Sequence, residues 1–282
     1  MNGVPYRLGL PAWAFPGWRD RFFEDRPSRL ASYAHVFNTV EGNTTFYRVP
    51  DANSVARWRD ALVERDFRFC LKLPREVTHE RRPDLQMLDQ FLSAIRPLTT
   101  HLGPVLVQFP DTVGAADLKR YTPVLDTVAE RHRFVVEVRH RDFFTSHDAL
   151  AETLNTYGAG RVAFDSRPLF EGDLAHPDVR KARHEKPNVP VVDTVFNDLT
   201  LIRLILHPDL TSNGPYIADW VERVARCIER DTETYMMIHC PNNQHCPPLA
   251  RDFHGALNNR LDGTLPELAA WPVPRRQGLL DF

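Results

Sequence analysis

Residues 40–50 read VEGNTTFYRVP, and the change of character inside this stretch decides how the rest of the chain is read. It begins like a buried strand, passes through Glu41, Gly42 and Asn43, three residues of poor β-propensity, and resumes with Thr45, Phe46 and Tyr47. A strand that leaves a core and hands its last side chains to a site has this pattern. Seven further apolar runs are bounded by turn residues or polar groups: RLGLPAW, FRFCLKLP, PVLVQFP, FVVEVRH, RVAFDS, LIRLILH and YMMIHCP. Segments of helical periodicity separate them, among them SVARWRDALVE, LQMLDQFLSAIRPL and YIADWVERVARCIER. The strand-to-strand spacing of roughly 30 to 40 residues is that of successive βα units. Eight such units predict an α/β fold, a single (β/α)8 TIM barrel over residues 1–265, rather than an open doubly wound sheet. The long polar segment SRPLFEGDLAHPDVRKARHEKPNVPVVDT after the sixth run predicts a functional loop with a short helix over one barrel face. Residues 266–282, rich in proline, predict an extended arm.

The composition fits a soluble globular chain: 282 residues, 43% apolar and 26% charged. No apolar run approaches the roughly 18 residues of a membrane span, so membrane insertion is excluded. The N-terminus MNGVPYRLGLPAW lacks a basic segment followed by a long apolar one, and a cytoplasmic protein is expected. Cys70, Cys227, Cys240 and Cys246 suit reduced thiols better than a disulfide framework. A net charge of −2 gives no global attraction to nucleic acid, although HERR (residues 79–82) and RKARHEK (residues 180–186) are basic patches.

In a (β/α)8 barrel the active site is built at the carboxyl ends of the strands, so the polar groups there come first. Trp13 follows strand one; Glu41 and Asn43 end strand two; Lys72 and Gln108 lie at the ends of strands three and four. Strand five ends in Glu137, Arg139 and His140, strand six in Asp165, strand seven contains Arg203 and ends in His207, and strand eight ends in His239. Side chains two apart on a strand share a face, which pairs Glu41 with Asn43 and Glu137 with Arg139. If those faces point inward, two carboxylates and an arginine meet near Lys72, either as a structural ion-pair network or around a ligand. Glu137, Asp165, His207 and His239 also form an oxygen and nitrogen set of the kind that holds a divalent metal, although no local spacing is diagnostic. The HCPNNQHC segment has no usual zinc spacing, and there is no phosphate-cradling glycine loop, GxSxG elbow or dinucleotide fingerprint.

GLPAW, VEGNTTFY, FRFCLKLPREVTHE, LVQFP, VVEVRH, FDSRP and the PNN after strand eight together resemble the YecE-like family, also called domain of unknown function 72. The resemblance covers nearly the whole chain and implies a TIM barrel; it carries no settled activity. Its motif positions fall here on Trp13, Glu41, Asn43, Phe46, Tyr47, Lys72, Thr78, His79, Gln108, Glu137, Arg139, His140 and Asp165. Gly9-Leu10-Pro11 and Cys240-Pro241 depart from the commoner pattern and resemble the YecE subgroup. At the level of fold alone, the barrel is also similar to the endonuclease IV and xylose isomerase superfamily, whose members hold metals at the mouth. The terminal QGLLDF resembles the hexapeptide by which bacterial replication and repair proteins bind the sliding clamp, with Gln277 hydrogen-bonding and Leu280 and Phe282 filling apolar pockets.

Three functions follow as expectations. The first is phosphodiester hydrolysis on nucleic acid, in a repair context. Glu41, Lys72, His79, Glu137 and Asp165 form its catalytic set, and Trp13, Asn43, Phe46, Tyr47, Gln108, Arg139, His140 and Arg203 hold the substrate. The second is a lyase, isomerase or hydrolase of a sugar or sugar phosphate, with Glu41 and Glu137 as acid and base and Lys72 and Arg139 orienting an anionic group. The third is a non-catalytic adaptor docked to the clamp through the tail.

Overall fold

The structure, a computed structural model, describes residues 5–25, 27–145, 149–192 and 197–273. Gln277, Leu280 and Phe282 lie outside the described residues. Each of the eight apolar runs overlaps a strand: β1 Tyr6–Gly9, β2 Thr39–Gly42, β3 Arg68–Leu71, β4 Val105–Gln108, β5 Phe134–Glu137, β6 Gly160–Asp165, β7 Leu199–Ile205 and β8 Glu233–His239. All pairings are parallel. Six strands form one sheet in the order β1-β8-β7-β6-β5-β4, and β2 pairs with β3 in a second ladder. The chain is therefore an α/β fold around a mainly parallel sheet, as the alternation of strand and helix predicts.

Side chains complete the hydrogen bonding where the two ladders meet. The Tyr33 hydroxyl accepts from Leu10 N at 2.9 Å and donates to Thr39 O at 2.8 Å, while Leu8 N donates to Asn38 Oδ1 at 2.8 Å. Backbone bonds also cross the gaps, from Glu41 N to Leu10 O at 3.0 Å, from Gly103 N to Phe69 O at 2.9 Å and from Leu73 N to Leu106 O at 3.0 Å. Gly9 is required at the first gap, because a Cβ there would stand 2.3 Å from Thr39 O. Several edge groups of β1 and of the residue after it thus find partners, although no regular ladder joins β1 to β2.

Helices cover the outer face of the strands. Ser28, Asp51 and Asp84 cap the helices Arg29–Tyr33, Ala52–Asp60 and Leu85–Ile95 by accepting from backbone N–H groups of the first turn. Apolar faces such as Leu88, Phe91, Leu92 and Ile95 on the third of these bury into the main core. On the opposite face of the strands, Cys70, Leu106, Val135, Val162, Leu201 and Met237 join in one buried inner cluster that draws on both ladders. Two residues further along each strand that face carries Lys72, Gln108, Glu137, Phe164, Arg203 and His239, so the pleat turns one apolar layer into a polar layer above it. No helix among the described residues is long and apolar enough to cross a membrane.

Candidate functional site

Arg203, at the carboxyl half of β7, organises the polar layer. Its Nε and Nη2 donate to the two oxygens of Glu41 at 2.8 Å each, and its Nη1 donates to Glu137 Oε2 at 2.6 Å. The remaining capacity of both carboxylates is also filled. Glu41 accepts from Asn43 Nδ2 at 2.7 Å and faces His239 Nε2 at 3.1 Å, and Glu137 accepts from Arg139 Nε at 2.9 Å. Burial alone would raise the Glu41 carboxyl, but Arg203 and His239 reverse that and hold it well below the ordinary range. Burial works against Glu137 as well, yet Arg203 and Arg139 bring it down to about 2. Both groups are therefore ionised near neutral pH, and neither is suited to donate a proton.

Lys72 sits just past the end of β3 in a different environment. Its Nζ donates to Gln108 Oε1 at 2.6 Å and lies 3.7 Å from the centroid of the Phe46 ring. Among the described residues no carboxylate stands within salt-bridge distance of it. Burial, with Arg203 nearby, brings its amine down to about 8. Gln108 Nε2 faces His79 Nε2 at 3.4 Å, and His79 Nδ1 meets Thr78 Oγ1 at 2.8 Å. With the Gln108 amide as donor, His79 is the neutral Nδ1–H tautomer. Burial, with Lys72 close by, pushes this imidazole down to about 4.

These groups floor a cavity of about 780 Å³ at the carboxyl ends of the strands. The long polar segment after β6 supplies its opposite wall: it contains the helices Arg167–Glu171 and Pro177–Glu185, and Asp178, Lys181, Glu185 and Lys186 line the cavity. Asn43, Phe46 and Tyr47 line the side next to β2, which answers why VEGNTTFY loses its strand character where it does. Burial and the nearby Arg203 also lower the Lys186 amine. Cations lining the cavity are Lys72, Arg75, Arg139, Lys181, Lys186 and Arg203; the anions are Asp178 and Glu185, with Glu41 and Glu137 bound to Arg203. An excess of positive charge therefore remains in a chain whose net charge is −2.

Several residues picked from the sequence lie elsewhere. Asp165 is on the outer face of β6, where it accepts from Trp220 Nε1 at 2.6 Å and pairs with Arg167 at 2.7 Å; Phe164 takes the inward position, under Arg139 and Arg203. Trp13 packs edge-on against Trp58 and Phe69, 5.3 and 5.9 Å between centroids. The His140 ring accepts from Asp142 N at 3.3 Å, as an N-cap. His207 is fully buried, with Nε2 3.1 Å from Asp173 O and Nδ1 accepting from Asp209 N at 2.9 Å. Glu137, Asp165, His207 and His239 are thus not gathered, and no group of three or more His, Cys, Asp or Glu among the described residues is arranged to hold a metal ion. The four cysteines are buried and outside any disulfide; burial pushes the Cys240 thiol up to about 12. Sequence reasoning missed Phe164 and Lys186; strand parity marks the first, and the basic patch RKARHEK contains the second.

An Asp165→Asn variant is expected to lose about 1–3 kcal/mol of stability, because the Arg167 charge and the Trp220 N–H lose their ionised acceptor. Ligand binding in the cavity should be unchanged; urea denaturation and calorimetry check the two halves.

Residues 7–274 match the family model described as "Protein of unknown function DUF72". The chain belongs to the DUF72 family. Among its DUF72 relatives, the UPF0759 protein YecE of Escherichia coli strain K12 is 33% identical over 279 residues, which cover 96% of this chain and 98% of YecE. A DUF72 family protein of Enterococcus faecalis V583 superposes with a TM-score of 0.69 at 21% identity, covering 90% of this chain and 95% of that one. A DUF72 family protein of Thermotoga maritima MSB8 gives 0.67 at 20% identity, covering 90% and 99%. These two solved structures share the fold, and DUF72 membership itself assigns no activity.

Proposed function

We propose that the eight parallel strands close into a (β/α)8 barrel whose mouth is the active site of an enzyme acting on a small anionic substrate, of the sugar phosphate class. Closure is supported by the backbone bonds that join β1 to β2 and β3 to β4 across the ladder gaps. The observation that carries the substrate class is the positive excess in a half-open cavity of about 780 Å³, a size suited to a small molecule. Among the described residues the buried Lys72 and the partly buried Lys186 both lack a carboxylate partner, and desolvated ammonium groups without one favour an anion as the missing counter-charge. Arg139 lines the same cavity with Nε and Nη2 on Glu137, and its Nη1 is the donor left for phosphate or carboxylate oxygens. Glu41 and Glu137 fix Arg203 rather than serving as acid and base, which leaves Lys72 as the lining group whose proton affinity is moved toward the working range, while His79, pushed down to about 4, stays neutral.

A second reading, phosphodiester hydrolysis on nucleic acid, is favoured by one feature. Tyr47, 76% exposed at the rim and edge-on to Phe46, offers a platform on which a base could stack. Thermal unfolding with added ligand separates the two. Ribose 5-phosphate and fructose 6-phosphate are expected to raise the midpoint where ribose and fructose do not. A rise only with a single-stranded oligonucleotide would favour the nuclease reading, and no rise with any phosphate compound would remove both.

A further inference from the structure

We propose that Lys72 is a nucleophile that forms an imine with the carbonyl carbon of an anionic aldehyde or ketone held in the cavity. This inference rests on the anion-binding reading above and names what the substrate must carry besides its charge.

The geometry separates Lys72 from an ordinary anchoring cation. Its amine is buried at the cavity floor, fixed by one acceptor, Gln108 Oε1 at 2.6 Å, and pressed on the face of Phe46 at 3.7 Å. The two nearest carboxylates, Glu41 and Glu137, are taken up by Arg203. Although the Phe46 face and the Gln108 carbonyl favour the ammonium, an amine taken out of water beside cations and without a counter-ion is in the environment where a lysine gives up its proton and attacks a carbonyl. Burial, Arg203 and Arg139 lower its proton affinity, and Glu137 and Glu41 oppose them, leaving the amine at about 8. At about pH 7.5 roughly a quarter of it is then unprotonated, against about one part in a thousand for an ordinary lysine. Lys186, which like Lys181 has no carboxylate partner among the described residues, lies just past the Pro177–Glu185 helix and is only partly buried. It is left, with Arg139, to hold the anionic group.

The step balances without a further reactant. The Lys72 nitrogen lone pair forms a bond to the carbonyl carbon and the C=O π pair moves to oxygen, giving a carbinolamine once the proton from nitrogen reaches that oxygen. Loss of the hydroxyl with the second nitrogen proton releases one water and leaves C=N. These protons pass through solvent in the half-open cavity, while His79, neutral and engaged through both ring nitrogens with Thr78 and Gln108, keeps Gln108 Oε1 turned to the amine.

The chain has four lysines, Lys72, Lys119, Lys181 and Lys186, so an adduct can be mapped without ambiguity. The intact protein is incubated separately with dihydroxyacetone phosphate, glyceraldehyde 3-phosphate and glyoxylate in the presence of cyanoborohydride, digested, and mapped by mass spectrometry. At least one probe is expected to leave a reduced secondary amine on Lys72 about tenfold faster than on the other lysines, with labelling slowed by inorganic phosphate and absent in Lys72→Arg. No preference for Lys72 with any of the three probes, or preferential labelling of Lys186, overturns the proposal. Calorimetry with the same probes separates the failures: binding without trapping removes only the imine, whereas neither binding nor trapping removes the anion-site reading too.

Discussion

Arg203→Met is expected to destabilise the fold by about 3–5 kcal/mol, because it leaves two buried carboxylates without their common partner. That is a large part of the roughly 5–15 kcal/mol a domain has. Glu41 and Glu137 are both essentially inaccessible to solvent, and Arg203 makes three of the hydrogen bonds that satisfy them. The pH dependence reverses sign between the two proteins. In the wild type the Glu137 carboxyl is lowered from 4.5 to about 2, so its contribution is complete above about 4.5 and is lost as the pH falls toward 2. In Arg203→Met burial dominates and raises both carboxyls, so that variant gains stability as the pH falls and they become protonated. Adding Glu41→Gln and Glu137→Gln to Arg203→Met should recover much of the loss. Urea midpoints for the three proteins across the acidic range check this; an unchanged midpoint in the single variant would mean that the carboxylates find other partners.

Lys72→Met should do the opposite, raising stability while removing binding. Lowering the amine from 10.5 to about 8 means that below pH 8 the folded state carries a charge it disfavours by about 3 kcal/mol. The cost disappears as the pH rises from 8 toward 10.5, where the unfolded state also loses its proton. Methionine fills the same space over Phe46 without the charge, at the expense of the Gln108 bond, so a net gain of about 1–3 kcal/mol is expected near pH 7. That gain should fade above pH 10. Affinity for a phosphorylated ligand should fall at least about tenfold. Equal stability at pH 7 and 10, with binding intact, would place Lys72 outside the site. A residue whose removal stabilises the fold is one retained for what it does to a ligand.

The legible part of the site was the part governed by strand parity. Glu41 with Asn43, and Glu137 with Arg139, are two apart, and they do share one face. The same rule, carried from Val162 to Phe164, turns Asp165 outward to Trp220; counting strand-end polar groups without parity brought it inward. His79 stood out only by family resemblance, since no spacing ties it to Gln108, 29 residues away. Lys186 was hidden for another reason. A long loop announces that something covers a face, but the docking of the Pro177–Glu185 helix depends on long-range packing such as Val179 and Ala182 against Phe164 and Ile205. All eight strands were readable as apolar runs. The separation of the β2–β3 ladder was not, because it depends on Tyr33 and Asn38 satisfying backbone groups far along the chain.

A calorimetric titration of ribose 5-phosphate into the wild type and into Arg139→Ala/Lys186→Ala tests the anion-binding mouth most directly. Saturable one-to-one binding by the wild type, weakened at least about tenfold in the variant and by added salt, is the predicted result. Binding of equal strength in both proteins, or none by the wild type, would contradict it.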